Sequence, residues 1–524
     1  MNQHQPSRRD FILAKESLYR PSTSHTASED VVPGGGGCCG SAPIGLTGNS
    51  CSTADEKPAA SCCGTPSAAE PTTISSIAPL PKPAAQSDSE NSLPVAIIGS
   101  GPVGLAAAAN LVERGEDFMI LEAGSKVAAG IRSWGHVRLF TPWSYLIDPA
   151  GQRLLESDSN WQQPEGAYVP YAAEFVETFL DPLAAHPGIA PHIRLDHKVV
   201  SVSREGHDRM KDGRRDAAGF MIVTETPTGP QRFYARAVID ASGTLSDPNP
   251  MGAGGIPADG EQQFQANIRY GMPDILGNDR DRYAGKRVLV VGSGHSATGN
   301  VLSLVELAKA SPSTLVAWAV RRSNPAKLWG GGSADEIAER GALGTRVKQA
   351  VDDGSVSLLT GLSIGAVKQQ GDGLVVLDLQ GNPQVVVDEI IVSAGSRPNL
   401  AMLRELRLEL DPATEATKTL GPLIDPNRHS CGSVPPHGAA ELRHPETGFY
   451  VAGMKSYGRA PTFLMMTGYE QVRSIVAELA GDLKAARDVH LELPSTGVCS
   501  TDLAYQDDSA SSCGTSAGQS SVSR

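Results

Sequence analysis

Hydrophobic and polar positions follow one distinctive order at two places in the chain. At Val95–Ile98 four apolar residues run unbroken, glycines then punctuate "GSGPVG", and "LAAAANLVER" carries a helical pattern that stops at Gly115. A short continuous apolar run is what a strand buried on both faces needs, and a glycine after a helical run is a natural helix end. A second apolar run, "FMIL", then ends at Glu122. The same order returns in "RVLVVGSGHSATGNVLSLVELAKASPSTLVAWAVRRS", residues 287–323. The pattern predicts two strand–turn–helix–strand units, and hence an α/β fold with two Rossmann-like three-layer dinucleotide-binding domains.

Outside these units the pattern fades. Residues 21–92 are rich in Ser, Thr, Ala, Pro and Gly with no hydrophobic period, so 1–92 is expected to be a disordered, cysteine-containing tail. A second such tail is expected over 485–524. The chain of 524 residues is 40% hydrophobic, enough for a large core. Its formal charge of -13, from 45 basic and 58 acidic residues, argues against nucleic acid as a partner. No apolar run is long enough to cross a bilayer, so no membrane partner is expected. Ser7, Arg8, Arg9 and Phe11 imitate a twin-arginine export signal, but the polar stretch "KESLYRPSTSHTASED" follows where an apolar one is required. The expected location is cytoplasmic.

The eight cysteines divide unevenly. Cys38, Cys39, Cys51, Cys62 and Cys63 lie in the first tail, Cys499 and Cys513 in the second, and only Cys431 in the body. The body is therefore no disulfide scaffold, and no metal site is expected in it. The adjacent pairs Cys38–Cys39 and Cys62–Cys63 suit soft metals or metalloids, because polarizable thiolates bind them well; incidental thiols in a low-complexity tail are the alternative.

The two turns carry the candidate chemistry. Gly99, Gly101 and Gly104 give the spacing in which the first glycine permits a tight turn, the second admits a pyrophosphate, and the third lets helix and strand pack closely. Ser100, Pro102 and Val103 complete this turn, and the Glu122 carboxylate suits the two hydroxyls of an adenosine ribose. In the second turn the order is Gly292, Gly294, Ala297, with Ser293, His295 and Ser296 between. Its second strand ends not in an acid but in Arg321 and Arg322, which suit a phosphate on the ribose and so favour NADPH. Two turns in one body imply two dinucleotides held together, a flavin and a nicotinamide.

Three further stretches carry a family resemblance. These are "ARAVIDASGTLSDPNP" with Ala241, Ser242 and Gly243, "VDEIIVSAGSRPNL" with Ala394, Gly395, Arg397 and Pro398, and "ETGFYVAGMKSYGRAPTFLMMTGYEQ" with Gly453 and Met454. Over residues 93–484 the sequence resembles the two-dinucleotide-binding-domain flavoproteins, and among them the flavin-containing monooxygenases and related flavoproteins. It lacks the histidine of the monooxygenase fingerprint in "YGMPDILGNDRDRYAGK". The resemblance implies FAD and NADPH as cofactors, with the NADPH domain inserted in the FAD domain. It implies FAD-binding parts at 93–250 and 396–484, a connecting segment at 251–285 and an NADPH-binding domain at 286–395. By the same resemblance Val199 meets the adenine through its backbone, and "RSWGHVRLFTPW" borders the flavin ring. Trp134, Arg138 and Thr141 are candidates there, with ordinary loop packing the alternative for each. Lys455 could face the pyrimidine edge of the flavin or be a surface lysine. Cys431 could form a mixed disulfide or be inert. Lys455, Cys431 and Arg138 are thus the catalytic candidates.

The implied reaction is hydride transfer from NADPH to FAD. With no cysteine pair in the body, a monooxygenase-like use of O2 on a small-molecule substrate is expected. The alternatives are an NADPH-dependent reductase of a thiol, quinone or soft metal(loid), and a soft-metal-binding protein on a flavoprotein scaffold.

Overall fold

A computed structural model describes residues 93–157, 161–329, 338–428, 434–461 and 463–491. Most of both tails, with their cysteines, and Cys431 lie outside the described residues. The chain runs through β1 (Val95–Ile98), α1 (Pro102–Arg114), β2 (Phe118–Leu121), α2 (Pro149–Ser157), β3 (Ile193–Arg194), β4 (Lys198–Arg204), β5 (Phe220–Thr226), β6 (Gly229–Ala235) and β7 (Ala237–Asp240). It continues through β8 (Ile268–Tyr270), β9 (Arg287–Val291), α3 (His295–Ala310), β10 (Leu315–Ala319), α4 (Ala338–Asp352), β11 (Val356–Leu359), β12 (Ile364–Gln370), β13 (Gly373–Asp378), β14 (Pro383–Val387) and β15 (Glu389–Val392). It closes with β16 (Phe449–Val451) and α5 (Met465–Leu479).

Two parallel five-stranded sheets form the frame, in the orders β16-β7-β1-β2-β3 and β11-β10-β9-β15-β8. Each is covered on both faces, and strand alternation decides which residue faces which layer. In the first, Val95 and Ile97 join α1 and α5 in one core, while Ala96 and Ile98 join Val202, Phe220 and Ile222 of the antiparallel β4-β5-β6 sheet. In the second, Val288 and Val290 meet α3 and α4, while Leu289 and Val291 meet the antiparallel β12-β13-β14 sheet. This is the three-layer arrangement expected of two Rossmann-like domains, and the second sheet is inserted in the chain between β7 and β16 of the first. The described residues belong to one compact unit.

The structure departs from the sequence reading at two boundaries. Residues 251–285, read as a connecting segment, supply β8, which pairs in parallel with β15 as the edge of the second sheet. Three residues between Pro- and Gly-rich stretches are too few for periodicity to reveal. At the other end, a short helix over Leu483–Arg487 runs past the expected start of the tail at 485, because Asp482 caps it through Ala485 N–H at 3.1 Å. Among the described residues no helix is long and apolar enough to cross a membrane.

Candidate functional site

The first turn is built as its glycines demand. Gly99 has φ +95°, and a Cβ there would stand 2.9 Å from Ala241 O. A Cβ on Gly104 would stand 2.0 Å from Gly99 O, so α1 sits hard against the turn. Gly101 is different: it caps α1 with an ordinary extended backbone, and a Cβ there would meet nothing within 4 Å. The open space lies where the first N–H groups of α1 have no partner inside the helix. Helix α1 ends at Gly115, whose left-handed φ of +66° lets its N–H reach back to Val112 O.

Glu122, at the end of β2, is buried and spans the turn. One carboxylate oxygen accepts from Ser100 N–H at 2.8 Å and Ser100 Oγ–H at 2.7 Å; the other accepts from Gly124 N–H at 2.8 Å. Residues 194–197 run beside it, with Glu122 N–H donating to Arg194 O and His197 N–H to Glu122 O. Val199 follows on β4, opposite Thr224. The late segment closes the site from the other side. Gly453, at φ +72°, rests on the Val103 side chain, and so does Gly468 of α5. The Gly453 N–H donates to Gln471 Oε1 at 2.8 Å, and Gln471 in turn joins the buried His437 at 3.0 Å. Burial holds His437 below its ordinary pKa, opposed by its bond to Pro435 O. Met454 is half-buried beside Gly453.

The second turn repeats the pattern with a more open rim. Gly292 has φ +133°, and a Cβ would stand 2.2 Å from Ser393 O. Gly294 caps α3 with nothing within 4 Å of a Cβ. Ala297, the residue in place of the third glycine, is fully buried against the core of α3. Ser293 and His295 are exposed, Ser296 half-buried. Arg321 and Arg322 follow β10 at the same end of the sheet, the first exposed and the second half-buried.

Two crossing segments tie the turns together. Asn249 N–H donates to Gly395 O at 2.9 Å, Asn249 Nδ2 to Ala394 O at 3.1 Å, and Arg397 Nε to Asn249 Oδ1 at 3.0 Å. The hydroxyls of Thr244 and Ser396 are 2.7 Å apart. Gly243, Ala394 and Gly395 lie at this crossing. A further contact spans the two units: the ring of Phe140, from the stretch after the first turn, lies 5.1 Å from the ring of His295. In the same stretch Arg138 is exposed and donates to Val169 O at 3.2 Å, and Thr141 is half-buried. Trp134 Nε1 is buried with no hydrogen-bond partner among the described residues.

Lys455 requires a correction. It is not a surface lysine: its side chain is 1% exposed, and Nζ donates to Asp240 Oδ2 at 2.7 Å and Ser242 Oγ at 3.0 Å. The residue that sequence reasoning missed is Asp240, at the end of β7. The signal was present, since "AVID" ends in an acid just as "FMIL" leads to Glu122. Gln471 was missed for lack of any such signal, being one of several polar residues on the helix Met465–Leu479. Among the described residues no three His, Cys, Asp or Glu side chains group as metal ligands.

Two open glycine cradles, one backed by an acid and one by arginines, on inserted three-layer units define the class of two-dinucleotide-domain flavoprotein oxidoreductases. The family model described as pyridine nucleotide-disulphide oxidoreductase matches residues 96–421, more than half of the chain, and the chain belongs to that family of enzymes. It is similar to a monooxygenase, aurF, of Gibberella zeae, 26% identical over 41% of this chain and 37% of that protein. It is also similar to a ferredoxin–NADP reductase of Halalkalibacterium halodurans, 24% identical over 65% of this chain and 84% of that protein. The chain thus spans well under half the length of the monooxygenase it matches. In fold it is similar to the bacillithiol disulfide reductase Bdr (YpdA) of Bacillus cereus, with a TM-score of 0.54 at 17% identity over 74% of this chain and 99% of that one.

Proposed function

We propose that this chain is an FAD- and NADPH-dependent oxidoreductase that passes its electrons to an acceptor from outside the fold, with molecular oxygen in a monooxygenase-like reaction as the leading case. The observation that carries the reading is the pair of cradles. Gly101 and Gly294 each cap a helix of more than ten residues and each leave room where a side chain would stand, as a pyrophosphate needs. The residues fit a flavin dinucleotide at the first cradle. Gly99, Ser100, Gly101, Pro102, Val103 and Gly104 would hold the diphosphate, Glu122 the ribose, and Val199 the adenine. Ala241, Ser242, Gly243, Gly453 and Met454 would line the far side. The orphaned Trp134 N–H supports this, because a buried donor without an acceptor is costly and a flavin edge offers acceptors. At the second cradle Gly292–Ala297, with Ala394 and Gly395, would hold a nicotinamide dinucleotide, and Arg321 and Arg322 its extra phosphate.

Held at the first cradle, a flavin would supply hydride acceptance from reduced nicotinamide and release of electrons singly or in pairs. The protein's part is orientation. The tied crossings at 241–250 and 394–398 fix the spacing of the two cradles, and buried Glu122 holds Ser100 and Gly124 so that the turn keeps its shape. Outside the two tails the sequence has a single cysteine, so the body itself offers no dithiol to take the electrons. That favours oxygen, and the similarity to a named monooxygenase points the same way. The second reading, an NADPH-dependent reductase of a thiol, quinone or soft metal(loid), is favoured by the family's name and by the paired tail cysteines. The test is NADPH oxidation with and without air, each with and without such an acceptor. Turnover that requires oxygen supports the first reading, and anaerobic turnover with the acceptor supports the second.

A further inference from the structure

Asp240 and Lys455 form a buried ion pair. It joins the end of β7 to the helical turn Gly453–Tyr457 that follows β16, next to the first cradle, where Ala241 O lies against Gly99 and Gly453 against Val103. Asp240 Oδ1 accepts from Ser242 N–H at 3.1 Å and Ser242 Oγ–H at 2.6 Å, closing a tight turn over residues 240–242. The peptide inside that turn presents Ala241 O to Gly99, close enough that a Cβ on Gly99 would stand 2.9 Å away. The carboxylate therefore shapes the floor of the cradle. Left alone, it would also place a full negative charge behind a site meant for a diphosphate. Lys455 stands at the other carboxylate oxygen, 2.7 Å from it, with both side chains shut off from water at 1% and 0% exposure. At such distances in a protein interior, unscreened charge reaches several ångströms with energies of kcal/mol.

Resting on the reading of the first cradle as a dinucleotide site, we propose that Lys455 is a positioning residue. It neutralises Asp240, so that the acid can brace the 240–242 turn against Gly99 without repelling the phosphates. Lys455 touches no reacting atom in this role. Ser242 is the member of the group that is exposed, and it carries the brace to the surface of the cradle.

The test is titration of flavin-stripped full-length protein with FAD and, separately, with ADP, which has the diphosphate but no flavin ring. Lys455→Met leaves the acid unpaired and should weaken both ligands by at least about tenfold. Asp240→Asn keeps an acceptor for Ser242 and should bind both at least as tightly as the unaltered protein. The double variant should return to within about threefold of it, as a coupled pair requires. Wild-type-like binding by Lys455→Met, or equal losses in all three variants, would overturn the proposal. If Lys455→Met does not fold, the double variant, which lacks both the lysine's charge and its bond to Ser242 Oγ, is compared with the unaltered protein and with Asp240→Asn. A double variant within about threefold of the unaltered protein supports the proposal, because a lysine that acts only on the acid is dispensable once the acid is gone, and a larger loss overturns it. If the unaltered protein binds neither FAD nor ADP, the cradle reading itself fails and the proposal with it.

Discussion

Gly101 and Gly104 are three residues apart, yet glycine serves opposite purposes in them. A Cβ at Gly104 collides with Gly99 O at 2.0 Å, whereas one at Gly101 meets no protein atom. Gly104→Ala should therefore lower the thermal midpoint of the apoprotein, and Gly101→Val should leave it within about 2 °C while reducing FAD affinity at least about tenfold. Thermal unfolding and flavin titration of both variants check this, and a Gly101→Val protein that binds FAD normally would remove the first cradle from the account. At the second cradle, replacing Arg321 and Arg322 together with alanine should weaken NADPH by at least about a hundredfold and NADH little, because charge-assisted bonds to a phosphate carry about 1.5–3 kcal/mol each. Equal losses for both nucleotides would show that these side chains hold no phosphate. The glycines of both turns were legible in the sequence because their spacing is fixed by the turn itself. Lys455 was not, since a lysine beside a strand end reads equally as surface or buried until its partner is known. That partner, Asp240, lies 215 residues away.

At the scale of the element, the two strand–turn–helix units were readable because each strand is an unbroken apolar run and each helix begins at a glycine turn. The β8 edge strand and the two antiparallel sheets carried weaker signals, as their stability comes from what they cover. Helix α2 adds a feature that only packing reveals. Asp148, just before it, is 2% exposed and accepts from Gly151 N–H at 2.7 Å. Burial pushes its carboxyl up to about 7, against that hydrogen bond, from an ordinary value near 4. The folded protein then keeps a proton that the unfolded chain releases, so this group's contribution to stability falls as pH rises from about 4 to about 7 and is level above. Asp148→Asn preserves the acceptor for Gly151 and removes the slope. The thermal midpoint at pH 8 should rise by several degrees while that at pH 4 changes little. A variant no more stable at pH 8 than the unaltered protein would show that the buried acid is accommodated in its charged form.

For the whole molecule, the sequence carried the duplication, but not how the two cradles are joined. The crossings at 241–250 and 394–398 are separated by a complete second sheet in the chain, yet they are hydrogen-bonded to each other in the fold. Under the proposed function, that joint is what would make two similar turns one electron-transfer device rather than two unrelated sites. The central claim is therefore that a flavin and NADPH are held together and exchange electrons. The most direct measurement is the visible spectrum of the purified full-length protein, supplied with FAD, on adding NADPH without air. The account predicts a yellow protein whose flavin absorbance bleaches with NADPH and returns when oxygen is admitted. A folded protein that stays colourless and binds no FAD, or whose bound flavin NADPH does not reduce, would contradict it.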